Sequence, residues 1–375
     1  MGKYNFVFWG NINIHVYPLA EALSKKTKVT IVYDSRLFTN RKERQIGYKP
    51  SPTLRLIDMA DISDDEIKNV IKDVSEGETI HINGGLKNDN NFAHKALIML
   101  IKLKKQVISL PQEGFQFNGL KAFVNRLKWF YYINVRYRNI RFFGLTGRNA
   151  FHDFLTIKCS IKRIVPFIYT TTPPQLCTNT KHNERKNVNM IFVGAIDKRK
   201  NIGTIIRWIN KNIAFFTNPF DLHIYGGYGN EALLRHTIGG NKQIHYHGIV
   251  PNEDVRKAML ESDIAILPSR YDGWGAVVNE ALQCGCRVLV SNRCGSSAMP
   301  QTFSELGSVF DPYDEKDFLD KLNGLLSKGI LSETEREKIR KWSEEHIHPD
   351  VVANYLINVI DALDSGNPLP KNIFW

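Results

Sequence analysis

Cysteine is scarce and unpatterned: the five residues Cys159, Cys177, Cys284, Cys286 and Cys294 form no CxxC pair and no Cys/His spacing suited to zinc. An odd, sparse set of thiols fits a reducing cytoplasm. No run approaches the roughly 18 to 20 apolar residues needed to span a bilayer. The opening stretch MGKYNFVFWG enters a strand-like run without the long apolar region of a signal peptide. These absences predict a cytoplasmic protein whose contact with the inner face of the cell membrane is peripheral. No fixed-period repeat is evident, and 43% hydrophobic with 23% charged residues does not indicate disorder.

At 375 residues the chain is long for one core and comfortable for two domains. Its net charge of +12 is uneven. Residues 1–175 hold 27 Lys+Arg against 14 Asp+Glu, or +13, and the remainder holds 23 against 24, or −1. The polycationic half calls for an anionic surface docking on it.

Short β-rich runs at 4–9, 29–33, 79–83, 106–110 and 140–145 alternate with helical periodicity, as in VYPLAEALSKK and AHKALIMLIKLKK. Around 166–187 the texture turns to Thr, Pro, Asn and charge, a linker by composition. A second alternating series follows at 188–194, 220–226, 243–248, 263–268 and 286–291, closed by helical stretches at 314–345 and 350–364. The reading is α/β. An N-terminal Rossmann-like domain spans 1–170, with a linker at 171–187. A C-terminal Rossmann-like domain spans 188–345, and a last helix at 346–375 crosses back to the first domain. Two doubly wound sheets predict a ligand cleft between them, beyond the carboxyl ends of the strands.

The most informative stretch is 269–295, SRYDGWGAVVNEALQCGCRVLVSNRCG. A buried strand ends at Pro268, a turn of Asp272, Gly273, Trp274 and Gly275 follows, and a helix is expected over 276–284. Amides at the start of that helix, at Gly275, Ala276 and Val277, suit a phosphate oxygen. The glycines let backbone approach a ligand. Glu280 lies one turn inside, on the face of Ala276, placed for a ribose diol.

This block resembles the E-x7-E signature of the retaining GT-B glycosyltransferases of family 4, with Asp272 and Glu280 at that spacing. The first acid is one methylene shorter than the family's Glu. Three further blocks occur in the family's order. FWGNINIHVYPLAEAL (8–23) resembles its N-terminal Gly-Gly loop and helix through Gly10, His15 and Val16, with Asn11 in place of the second Gly. FVGAIDKRKNI (192–202) resembles the strand-Gly-Arg…Lys block, with Gly194 and Lys200 matching, Ala195 replacing the first cation and Arg199 offered in compensation. HYHGIVPNEDVRKAML (245–260) resembles the segment that lays Ile249 and Val250 against the nucleobase.

The resemblance implies a GT-B fold and retaining transfer of a hexose or N-acetylhexosamine from a UDP- or GDP-sugar. The nucleotide-sugar is the donor substrate; no cofactor is expected. No metal is expected either, because the Asp-x-Asp motif of GT-A enzymes is missing and Arg199, Lys200 and the 273–276 amides can stabilise the leaving diphosphate. Asp272 is assigned to sugar hydroxyls and oxocarbenium charge. On the acceptor side, His15 faces the site or packs within its domain, and Glu113 contacts sugar or acceptor or is a solvated loop acid. The segment 121–143 interleaves six cations with aromatics. Its apolar side, Phe123, Leu127, Phe130 and Tyr131, lies on an anionic leaflet or packs on its own sheet. The expected acceptor is a lipid-linked or lipopolysaccharide glycan of bacterial surface-polysaccharide synthesis. No nucleic-acid recognition motif stands in the chain. The alternatives are a catalytically silent nucleotide-sugar-binding scaffold and a GT-B-like sugar-nucleotide epimerase.

Overall fold

The structure, a computed structural model, describes residues 2–10, 15–34, 52–59, 63–84, 86, 92–115, 122–174, 185–227 and 229–375. Asn11, Cys177, Lys121 and most of the stretch read as a linker lie outside these residues. The chain divides into two compact units, one of Met1–Thr171 with Pro349–Asn372 and one of Thr172–His348 with Ile373–Trp375.

The first unit runs β1 (Asn5–Trp9), α1 (Tyr17–Ser24), β2 (Val29–Tyr33), β3 (Leu54–Asp58), α2 (Asp64–Val74), β4 (Thr79–Asn83), α3 (Phe92–Lys102), β5 (Gln106–Gln112), α4 (Ala122–Tyr131), β6 (Ile140–Thr146), α5 (Gly147–Thr156) and β7 (Ile164–Phe167). A five-residue π-helix, Tyr132–Arg136, follows α4. The sheet order is β3-β2-β1-β4-β5-β6-β7. Its strands pair in parallel, and β2 and β4 are buried almost end to end, as central strands of a parallel sheet covered on both faces are. Ser63 caps α2 by accepting from the Glu66 amide, with Asp64, Asp65 and Glu66 in the first turn. One side of the sheet packs Val7, Trp9, Val107, Phe143 and Leu145 against Ile71, Leu97 and Phe154 of α2, α3 and α5.

The second unit runs β8 (Val188–Val193), α6 (Ile202–Lys211), β9 (Phe220–Tyr225), α7 (Glu231–Ile238), β10 (Ile244–Gly248), α8 (Asn252–Leu260), β11 (Ile264–Leu267), α9 (Val277–Gln283), β12 (Arg287–Ser291), α10 (Ala298–Thr302), β13 (Gly307–Phe310), α11 (Glu315–Leu326) and α12 (Glu333–His346). Its sheet order is β10-β9-β8-β11-β12-β13. Ser332 and Glu335 form a capping box at α12. Asp263, fully buried at the foot of β11, holds Arg336 of α12 at 2.6 Å and accepts from the amides of Asn189 and Leu331. The last helix, α13 (Pro349–Ser365), belongs to the first unit. There Tyr4 donates to Asp361 and Asp364, and Lys25 pairs with Asp350.

Three strands went unread in the sequence. β3 is half-exposed and interrupted by Arg55. β13 is four residues long and opens on glycine. β7 overlaps the start of the stretch read as a linker, because its Pro166 looks like a breaker although edge strands tolerate proline. Cys159, Cys284, Cys286 and Cys294 are all buried, free thiols.

Candidate active site

In the second unit the strand-end loops gather at the carboxyl edge of a parallel sheet, where order reverses between β8 and β11 and where ligands of such sheets bind. The loop after β8 places Lys200 Nζ 2.6 Å from Asp272 Oδ2, with Arg199 Nη1 at 3.3 Å from the same oxygen. Lys200 and Asp272 are about seven-eighths shielded, while Arg199 is half-exposed. The Lys200 amide is fixed by Asp197 Oδ1 at 2.6 Å. Asn201 follows in the left-handed region at φ 63° and enters α6.

The turn after β11 is tied down on its other side. The Asp272 amide donates to the Arg293 carbonyl, the Gly295 amide to the Asp272 carbonyl, and the Ser296 amide to the Trp274 carbonyl. Gly275 has φ +89°, and a Cβ there would lie 2.4 Å from Leu267 Cδ2, so the turn requires glycine. The helix α9 begins at Val277, one residue later than read, with Glu280 half-buried in its first turn. The Trp274 side chain does not face a ligand. It is 1% exposed, donates from Nε1 to Asn279 Oδ1 at 2.9 Å and lies 5.8 Å from the Trp375 ring, so only its backbone is available to the site. Burial, with Asp272 close by, pushes the Cys294 thiol up, which leaves it inert beneath the turn.

The loops after β8, β9 and β10 are zipped by backbone. Gly194 donates to Tyr225, Ile196 to Gly227 and Gly226 to Gly248. A Cβ on Gly226 (φ +134°) would stand 1.9 Å from the Gly194 carbonyl oxygen. Ile249 projects half-exposed from the end of β10, and Val250 is partly buried beside it.

Cations that the sequence did not single out stand at the same edge. Arg270 donates from Nε to Asn201 Oδ1 at 3.1 Å, and its guanidinium lies 5.6 Å from the Tyr313 ring, which Arg293 approaches at 5.9 Å. Their signal was position: each lies in the loop that leaves the carboxyl end of a strand, β11 or β12.

In the first unit, Gly10 ends β1 at φ +145°, its amide on the Val32 carbonyl. His15 and Glu113 are joined through Tyr169. The Tyr169 hydroxyl donates to Glu113 Oε1 at 2.9 Å, and its ring meets the His15 ring edge-on at 5.0 Å. The Thr170 hydroxyl donates to the His15 carbonyl at 2.9 Å. Tyr169 fell in the stretch read as linker, so composition hid it.

The described chain matches solved GT-B structures over nearly its full length. It superposes on the apo form of the lipopolysaccharide outer core galactosyltransferase WaaB with a TM-score of 0.65 at 13% identity, covering 96% of this chain and 99% of that one. It superposes on a glycosyltransferase from Rickettsia africae with a TM-score of 0.69 at 13% identity, covering 98% and 100%. Two parallel, helix-covered sheets of this kind define a GT-B protein. Residues 178–344 match the family model described as Glycosyl transferases group 1. It is also similar to the O-antigen chain mannosyltransferase B of Escherichia coli, 26% identical over 152 residues. That match covers 39% of this chain and spans 38% of the relative's length.

Proposed function

We propose that this chain is a retaining glycosyltransferase that moves a hexose or N-acetylhexosamine from a UDP- or GDP-sugar to a lipid-linked or lipopolysaccharide glycan at an anionic membrane surface. The observation that carries the reading is the Lys200–Asp272–Arg199 cluster at the carboxyl edge of the second sheet. Cleaving an anomeric C–O bond to diphosphate builds negative charge on phosphate and positive charge on the sugar ring. A carboxylate and two cations gathered at one edge supply both signs beside the bond that breaks. Lys200 and Arg199 neutralise the departing diphosphate, aided by the amides of 273–276. Asp272 orients the sugar and faces its developing positive charge. Glu280 takes the ribose, and Ile249 and Val250 lie along the base. The diphosphate draws the two cations away from Asp272, which is then released toward the sugar. Retention follows a front-face path in which the leaving phosphate oxygen accepts the acceptor's proton.

The experiment is a thermal-shift screen of UDP- and GDP-sugars, mannosyl donors first in view of the mannosyltransferase relative, followed by donor-hydrolysis and transfer assays. The expected result is stabilisation by one nucleotide class, lost in Glu280→Ala. Stabilisation without hydrolysis or transfer would instead favour the silent scaffold, for which Ala195, in place of the family's cation, speaks. No stabilisation by any nucleotide-sugar overturns the donor assignment.

A further inference from the structure

Helix α4 inverts the usual arrangement of a surface helix. None of its residues is buried, and Phe123, Val124, Leu127, Phe130 and Tyr131 are each between 40% and 69% exposed. At about 100° per residue these five fall within an arc of about 120°. The arc lies opposite Trp129, which packs on the core together with Tyr132 of the following turn. The helix is held by its inner side and offers an apolar stripe to solvent, so the sheet-packing alternative is overturned. A contiguous exposed apolar patch of this size marks an interaction surface.

The charge around the stripe selects its partner. Arg126 and Lys128 border it on either side, and residues 114–152 contain seven Lys and Arg and no Asp or Glu. Beyond α4 the chain passes through Tyr132–Arg136 to Arg138, which lines a hollow of about 500 Å³ with Lys105, Arg141 and Arg163. Arg163 is committed to the carbonyls of Ile133, Tyr137 and Ile140, and Arg141 to Asp364. Lys105 and Arg138 have no carboxylate partner among the described residues, so the hollow keeps net positive charge. A second copy of the chain seated symmetrically on this face would bring like charges together. An anionic bilayer satisfies stripe and cations at once.

We propose that the first unit docks on a bilayer rich in anionic phospholipid, with the α4 stripe entering the headgroup layer and Lys105 and Arg138 receiving lipid phosphate in the adjoining hollow. This deepens the acceptor side of the proposed function and rests on that reading only for why the protein would be there. The test uses neither donor nor acceptor, so its failure would leave the donor assignment standing.

The full-length protein is co-sedimented with phosphatidylcholine vesicles containing or lacking phosphatidylglycerol. The expected result is binding only to the anionic vesicles, weakening as salt rises. Phe123→Glu with Leu127→Glu is expected to reduce partitioning about tenfold or more. Arg138→Glu is expected to steepen the requirement for phosphatidylglycerol and weaken binding several-fold. Because these side chains are exposed, melting temperature stays unchanged, which separates lost docking from lost folding. Equal binding to both vesicle types, no binding at low salt, or a dimer in solution that Leu127→Glu dissolves would each overturn the proposal.

Discussion

Lys200 and Asp272 stand 72 residues apart in sequence and 2.6 Å apart in space, each closing the other's charge in a pocket edge that water reaches poorly. Lys200→Ala leaves Asp272 with the more exposed Arg199 alone. The expected outcome is loss of nucleotide-sugar stabilisation in thermal shift and a fall in transfer rate of about a hundredfold or more, the scale of one lost oxyanion donor. Lys200→Arg, which keeps the charge but not the point geometry, should recover part of the rate.

Tyr169 offers a finer probe. Tyr169→Phe removes the hydroxyl that reaches Glu113 but keeps the ring against His15. Glu113 is exposed, so stability in urea should change by less than about 1 kcal/mol. A rise in acceptor KM at near-constant kcat is expected if the pair orients acceptor. Unchanged steady-state kinetics would remove Tyr169 and Glu113 from the acceptor site.

Asp263 carries a different weight. It is fully buried with Arg336, and the Asn189 and Leu331 amides also depend on it. Asp263→Ala leaves a guanidinium buried without its carboxylate, and a loss of about 3 to 5 kcal/mol in chemical denaturation is expected. Replacing both partners, Asp263→Leu with Arg336→Met, should cost less than the single change.

The pH dependence of stability turns on His81. It accepts from Trp9 Nε1 at Nδ1 (3.0 Å) and lies 3.2 Å through Nε2 from the Ser75 hydroxyl, which fixes the neutral ring in a buried site. Burial, with Lys105 adding to it, pushes its pKa down to about 3. Its folded pKa is therefore below the unfolded value near 6.5. Its stabilisation is complete above that value and is lost as pH falls toward 3, with a slope of about 1.4 kcal/mol per pH unit. His223, pushed down to about 4 chiefly by burial and then by His245 and His247, adds in the same direction. In urea titrations from pH 7 to pH 4, His81→Gln should flatten the acid limb. An unaltered limb would assign the loss to other groups.

Legibility followed locality. The bounds of β2 and β4 could be read because each is a short run rich in β-branched residues between polar flanks. The Asp272–Glu280 spacing was visible because strand, turn and helix are consecutive. What escaped depends on distance along the chain or on what a face meets. Tyr169 links residues 154 and 56 positions away inside a Thr/Pro-rich stretch. Arg270 and Arg293 meet only across Tyr313. Trp274 sits between two glycines, a context that says the backbone turns but not whether the indole goes inward. For α4, periodicity identified an apolar side and left its neighbour open, since amphipathicity records a contrast and not what fills it.

Four sulfhydryls are walled in at the cores of both units, and burial holds those of Cys159 and Cys286 at about 11 and 12, far from the ionised form that alkylating reagents attack. Labelling at neutral pH therefore waits for the surrounding structure to open. Cys159 reports on one unit and Cys284, Cys286 and Cys294 on the other, so a single time course read by peptide mass would time the two openings separately, with no added probe.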